Sequence, residues 1–340
     1  MGSVRKSAHQ TLVDGVKPPP SVLPSGSHFS MHRTSDALPD FFVLGVAKGG
    51  TTSLHYYLRQ HPALFLPYVK ELHFFDADDG RFSSDLDRYL RYFSDAGSCL
   101  VGEATPSYFR NVERAAERMR RLYGDAPPRF LLLLRDPVER AYSHYLHNVS
   151  EGRESLSFEE ALQAEQADPA SKRQAWKAYF TDGIYVDTLA KWVEWFSQER
   201  FRILLSADLE QNTDAALREI FQFLGVDPTV EVDTDAHLNR TGEQQSRVLG
   251  TLLAYVPSGL RSVARRWSPE WIRLGVEQFV RRRSTGDATD RPTLDPTLER
   301  RLRTRYAPHV RRLATMIDRD LSAWLPASEK DGVPSEDTST

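Results

Sequence analysis

The 340-residue sequence has a single cysteine, Cys99, so no disulfide can form within the chain. It has no apolar run near the roughly 18 residues that cross a bilayer, and its opening residues lack the apolar core of a secretory signal. Nor does one sign of charge dominate, since 44 basic and 47 acidic side chains leave a net charge of -3. These absences point to a cytoplasmic protein with no membrane span and no global field to attract nucleic acid. In that compartment the triplets Asn148-Val149-Ser150 and Asn239-Arg240-Thr241 match the glycosylation pattern only by coincidence. Any anion site must therefore be local.

What is present is enough apolar material, 40% hydrophobic and 11% aromatic, for one large α/β domain. Residues 1–39 are rich in Ser, Pro, His and Gly and show no lasting apolar period, which predicts a disordered arm. The domain is expected over 40–326, with a flexible tail over 327–340. Phe41 to Leu44 is a short apolar run of buried-strand type, Phe130 to Leu134 is another, too short for most helices and too apolar for an edge strand, and Phe201 to Leu205 reads as a third strand. Helical periods follow. Leu54, Tyr57 and Leu58 mark one; Val138, Ala141, Tyr142, Tyr145, Leu146 and Val149 another; Leu217, Ile220, Phe221 and Leu224, stopped by Gly225, a third. Strand and helix alternate, so the expected fold is a central parallel sheet flanked by helices, with a phosphate-loop-like turn after the first strand. The polar stretch 151–182, with its Trp176, Tyr179 and Phe180 cluster, is expected to be a lid over the acceptor side. An Arg-rich helical insertion and loop are expected over about 241–290.

The turn Gly45-Val46-Ala47-Lys48-Gly49-Gly50-Thr51-Thr52 has the glycine spacing of a phosphate-binding loop. Its lysine, however, stands before the last two glycines, whereas a nucleoside triphosphatase has it directly after them. Glycines that let N–H groups point inward, followed by the positive end of a helix, still make a cradle for a phosphate-like anion. A second contact is expected where the Phe130 to Leu134 run meets Arg135, with Ser143 further along the following helix, because ligands in open parallel sheets lie beyond the strands' carboxyl ends. Two alternatives stay open for this element: Arg135 and Asp136 form a local ion pair, or Asp136 holds magnesium in a nucleotide kinase or triphosphatase. His144 and His147 read as part of a solvated helix face and not as a zinc site.

Four segments together resemble the PAPS-dependent sulfotransferases, which use 3'-phosphoadenosine 5'-phosphosulfate, and in particular bacterial members and heparan sulfate sulfotransferase domains. They are Ala47 to Ser53, Lys70-Glu71-Leu72-His73-Phe74-Phe75-Asp76, Gly102-Glu103-Ala104-Thr105-Pro106-Ser107-Tyr108-Phe109 and Arg135-Asp136-Pro137-Val138-Glu139-Arg140-Ala141-Tyr142-Ser143. The resemblance implies that Lys48, Gly49, Gly50, Thr51, Thr52 and Ser53 hold the 5'-phosphosulfate. It implies that Arg135, Ser143 and Arg291 hold the 3'-phosphate end. Lys48, Glu71 and His73 would be catalytic, with Glu71 removing the acceptor proton, and Asp76 and Tyr108 would serve the acceptor. No metal is expected. The chain departs from heparan-type members at Ala47, Thr52 and Ala104, where basic residues would stand. That lack, with the aromatic residues Phe74, Phe75, Tyr108 and Phe109 nearby, leads us to expect a less charged acceptor: a small metabolite, lipid or neutral glycan.

Overall fold

The structure, a computed structural model, describes residues 38–167, 176–234 and 293–327. Five parallel strands form one sheet: β1 (Phe41–Gly45), β2 (Leu64–Phe65), β3 (Leu100–Ala104), β4 (Arg129–Leu134) and β5 (Phe201–Leu205), in the order β2-β3-β1-β4-β5. Phe41 pairs with both Gly102 and Arg129, which makes β1 a central strand, and all five of its residues are buried. Its period of two sends Phe42 and Leu44 to one face and Phe41 and Val43 to the other. On β4, Phe130, Leu132 and Leu134 join the first face, while Leu131 and Leu133 join the second. Two separate cores result, which is why these runs contain no polar alternation.

From β1 the chain first builds β2 and β3 on one side and then β4 and β5 on the other. The turn after β1 thus lies where the winding reverses, the place at which such sheets open a crevice. Helix α1 (Thr51–Leu58) follows that turn. Between β2 and β3 lie two short helices, α2 (Asp79–Ser84) and α3 (Leu86–Leu90). After β3 come α4 (Ser107–Arg110) and α5 (Val112–Tyr123), and after β4 comes α6 (Pro137–Ser150). Helices α7 (Phe158–Ala167) and α8 (Tyr185–Trp195) precede β5, which is followed by α9 (Ser206–Gln211) and α10 (Thr213–Leu224). Helix α11 (Pro296–Ile317) buries Leu302, Tyr306, Val310 and Leu313.

The parallel α/β architecture and three of the strands match the sequence reading. Strands β2 and β3 were not foreseen: β2 has two residues, and β3 carries Gly102 and Glu103, which give no apolar run. Gly102 is needed because a Cβ there would run into the buried Phe41 ring. Asp136 caps α6, accepting from the Val138 and Glu139 amides, with Pro137 at the first helical position. Gly225, at φ 77°, ends α10.

Helix α6 departs from its expected amphipathic pattern. Val138 and Ala141 are buried, but Val149 is exposed, and a polar stripe of Arg140, His144 and Asn148 is buried instead. The solvated-face reading of His144 is therefore wrong. Residues 176–185 pack on that stripe: an Arg140 guanidinium nitrogen donates to the Tyr179 carbonyl, and the Asn148 amide donates to the Trp176 carbonyl and Tyr179 hydroxyl. Burial, with Arg140 and Arg110 nearby, pushes His144 down to about 2, so it stays neutral. The aromatic cluster expected to line an acceptor lid is likewise partly core. Tyr179 is fully buried against Glu154, and Phe180 stacks on Tyr306 at 4.3 Å. The predicted arm over 1–39 (apart from its last two residues), the tail after residue 327, the insertion over about 241–290 and the second glycosylation-like triplet all lie outside the described residues.

Candidate active site

The loop after β1 is tied to the sheet by its backbone. The Val46 amide donates to Leu133 O at 3.0 Å and the Gly49 amide to Val46 O at 2.9 Å. Ser206, which opens α9 directly after β5, donates from its hydroxyl to Gly49 O at 2.6 Å and to Leu134 O at 3.1 Å. Gly49 cannot be replaced without cost, because a Cβ would sit 2.5 Å from Leu133 O and 2.9 Å from Val46 Cγ2. Gly50 is the N-cap of α1 at φ 97°, a conformation that favours glycine, and it brings no side chain to cap the first-turn amides. Thr51 and Ser53 are buried within that turn, whereas Thr52 is exposed. Lys48 itself holds φ at 71°. A helix start whose N-cap brings no side chain, behind a loop with no room for a Cβ at Gly49, is a fit cradle for a phosphate-like group.

Arg135 comes to the same place. Its Nη1 donates to Lys48 O at 3.4 Å, its Nε donates to Glu139 Oε2 at 3.1 Å, and its carbonyl accepts the Tyr185 hydroxyl at 2.8 Å. Neither open alternative for this element holds. Arg135 pairs with Glu139 and not with Asp136, while Asp136 pairs with Arg303 of α11 at 2.7 Å and caps α6. Ser143 lies half-buried on α6, one residue before His144, and no hydrogen bond joins it to Arg135. Arg291 falls outside the described residues.

The segment after β2 supplies the other wall. Its backbone is anchored by the Glu71 amide donating to Ala104 O, at the end of β3, at 2.8 Å. Lys70 then joins the walls: its Nζ donates to Thr52 Oγ1 at 3.1 Å and to Glu71 Oε1 at 2.6 Å. Glu71 remains about half exposed, its carboxylate held beside the loop by that contact. Further along, His73 Nδ1 lies 3.2 Å from Asp76 Oδ1, and Asp76 Oδ2 accepts from the Ser107 hydroxyl at 2.6 Å and the Asn111 amide at 3.1 Å. The hydrogen bond to Asp76 raises the His73 pKa. Burial alone would raise Asp76, but the bonds from His73, Ser107 and Asn111 outweigh it and hold it low. Glu71 and His73 have φ of 62° and 52°. With Lys48 they are three of only four non-glycine residues at positive φ among the described residues. Such backbone strain clusters where function demands it.

Tyr108 is not where an acceptor residue should be. It is fully buried, and its hydroxyl accepts from the Phe74 and Phe75 amides and donates to Glu103. Phe74, Phe75 and Phe109 are core as well. Three participants escaped the sequence reading. Lys70 and Glu103 stood inside quoted segments without a role, and Ser206 had no signal beyond following an apolar strand. Among the described residues no cluster of three or more His, Cys, Asp or Glu is arranged to hold a metal, and no helix is long and apolar enough to cross a membrane.

Comparison with known proteins now decides the lineage. The sulfotransferase-domain family matches residues 38–314. The chain belongs to the sulfotransferase family. It is 28% identical over 211 residues to the bovine (Bos taurus) bifunctional heparan sulfate N-deacetylase/N-sulfotransferase 2, a match covering 59% of this chain and 23% of that protein. It is 24% identical over 360 residues to carbohydrate sulfotransferase 15 of Rattus norvegicus, covering 88% and 56%. The chain thus spans less than a quarter of its bifunctional relative. Among solved structures, a sulfotransferase from Alicyclobacillus acidocaldarius superimposes with a TM-score of 0.63 at 28% identity, covering 85% of this chain and 99% of that one. These matches do not favour the nucleotide-kinase alternative.

Proposed function

We propose that the chain transfers a sulfuryl group from PAPS to a hydroxyl of a weakly charged acceptor, and that Glu71 is the base. The observation that carries this reading is Lys70, whose ammonium group joins Thr52 of the anion loop to the Glu71 carboxylate. A base is thereby held at the edge of a cradle built for a phosphate-like group. PAPS supplies the sulfuryl group and, as substrate, departs as 3'-phosphoadenosine 5'-phosphate. Lys48, the first-turn amides of α1 and the Thr51, Thr52 and Ser53 side chains would hold its 5' end. Arg135, already turned toward the Lys48 carbonyl, would take the 3'-phosphate with Ser143. Glu71 would accept the acceptor's hydroxyl proton as the oxygen attacks, and Lys48 would offset the charge gathering on the leaving phosphate oxygen. The His73–Asp76 pair would hold the acceptor side.

The acceptor class rests on what borders Glu71. Tyr68 and Val69 are 48% and 55% exposed, a small apolar lip beside Lys70. Ala104 is a buried alanine whose carbonyl anchors Glu71. The lip is flanked by two cations, Lys70 and Arg59, whose guanidinium lies 4.7 Å from the Tyr68 ring centroid, and its exposed apolar surface suits an apolar alcohol, a phenol or a neutral sugar.

Sulfur-labelled PAPS offered with apolar alcohols, phenols, neutral sugars and heparan fragments tests both parts. We expect label on an uncharged acceptor. Efficient transfer to heparan fragments alone would overturn the acceptor class, and no transfer to any acceptor would overturn the reaction. Thermal stabilisation by 3'-phosphoadenosine 5'-phosphate without magnesium, and none by ATP with magnesium, is the matching binding result.

A further inference from the structure

Beneath the Glu71 segment lies a carboxylate that the proposed reaction does not use. Glu103 on β3 is 1% exposed, and no cation pairs with it among the described residues. Three hydroxyls converge on it instead: Tyr89 donates to Oε2 at 2.6 Å, Tyr108 donates to Oε2 at 3.3 Å, and Thr105 donates to Oε1. The single hydroxyl hydrogen of Tyr108 is thereby directed at Glu103, which leaves its lone pairs for the Phe74 amide at 3.0 Å and the Phe75 amide at 3.3 Å. Those amides directly follow His73. The neighbouring residue on β3, Ala104, accepts the Glu71 amide. Two consecutive residues, Glu103 through Tyr108 and Ala104 directly, therefore fix both ends of the strained stretch that holds Glu71 and His73 at positive φ. Left-handed non-glycine residues cost about 1–3 kcal/mol each and persist only where the surroundings over-determine them.

We propose that Glu103, acting through the Tyr108 hydroxyl, is a positioning residue that sets the backbone of the segment carrying Glu71 and His73. Above its folded pKa of about 7 the Glu103 carboxylate only accepts, so it orients all three hydroxyls in one sense. A nitrogen donor placed at Oε2 would turn the Tyr108 hydrogen toward the Phe74 and Phe75 amides, setting donor against donor. The catalytic consequence rests on the reading of Glu71 as base; the structural consequence does not.

The test uses Glu103→Gln and Tyr108→Phe in the full chain, with three measurements: hydrogen exchange of the Phe74 and Phe75 amides, affinity for 3'-phosphoadenosine 5'-phosphate, and transfer of labelled sulfuryl from PAPS. Both variants should exchange these amides at least about tenfold faster while nucleotide affinity stays within about twofold. Turnover should fall at least about tenfold, with kcat falling more than KM rises. At about pH 8 the melting temperature of Glu103→Gln should fall by no more than a few degrees, because replacing a buried charge with a neutral amide offsets the cost of the opposed donors. Unchanged exchange in both variants would overturn the proposal, as would faster exchange accompanied by losses of nucleotide affinity and melting temperature beyond those limits, the mark of general unfolding. If the amides loosen as expected but wild-type protein transfers no sulfuryl group, the positioning role stands and the reaction reading fails.

Discussion

The loop after β1 and the segment after β2 lie side by side, with Lys70 reaching the residue Thr52 that follows the loop, yet they are held in place by different means. Residues 45–50 are fixed by backbone contacts to β4, by one serine hydroxyl from α9 and by a glycine with no room for a Cβ. Residues 70–76 are fixed mainly by side chains: Lys70, Asp76, Ser107, Asn111 and the buried Tyr108–Glu103 pair. The first wall is rigid because its strands are. The second is only as rigid as its polar network, so substitutions on the two sides should fail differently.

The largest expected effect breaks the chemistry and spares the first wall. Glu71→Gln keeps the shape but removes the proton acceptor, and general-base loss is worth about 10²–10⁴ in rate. Turnover should fall by that order while calorimetry shows unchanged affinity for 3'-phosphoadenosine 5'-phosphate. Unchanged turnover would remove Glu71 from the mechanism. Gly49→Ala is the converse experiment. Its Cβ would press on Leu133 O, and overpacking costs about 1–3 kcal/mol, so nucleotide affinity should fall about 10- to 100-fold with the Glu71 segment's amide exchange untouched.

Lys70→Met tests the joint between the walls. Lys70 and Glu71 are 21% and 46% exposed, so solvent screens the pair and the contact is worth no more than about 1 kcal/mol. Turnover should drop about fivefold, with nucleotide affinity little changed. A loss as large as that of Glu71→Gln would mean that Lys70 itself meets the reacting atoms.

The contrast also explains what the sequence could reveal. Wall one follows from local rules: an apolar run, glycines, then a helical period, so Lys48 through Ser53 and the strand carrying Arg135 could be placed from pattern alone. Wall two depends on pairings across 30 or more residues, such as Asp76 with Ser107 and Phe74 with Tyr108, which no local period encodes. Resemblance drew attention to Glu71, His73 and Asp76, but it also put Tyr108 on the acceptor side, because a motif says nothing about which way a tyrosine faces. Polar residues in the interior misled in the same manner. His144 reads in sequence as part of a solvated face and is buried in the fold, with Asn148 one turn on, because residues 176–185 cover them.

The smallest effect is a pH dependence that belongs to the second wall alone. The His73 pKa is raised above 6.5, first by its hydrogen bond to Asp76, so its contribution to stability is present below pH 6.5 and is lost as pH rises through the folded value. Asp76 is held below 3.8, so its contribution is present above that and is lost as pH falls through its folded value. The pair therefore stabilises most between these limits. Glu103 acts in the opposite sense, since burial pushes it up to about 7 from 4.5, and its ionisation across that interval lowers stability. Comparing wild type with Asp76→Asn removes most of the Glu103 background, the remainder being the small part of its upward shift that Asp76 itself supplies. The difference in melting temperature should be greatest from about pH 4 to 6.5 and should narrow above it as His73 loses its proton. Because His73 is half exposed, the pH-dependent part should stay below about 1 kcal/mol. A difference that grows with rising pH would mean that the two groups are not an ion pair in solution.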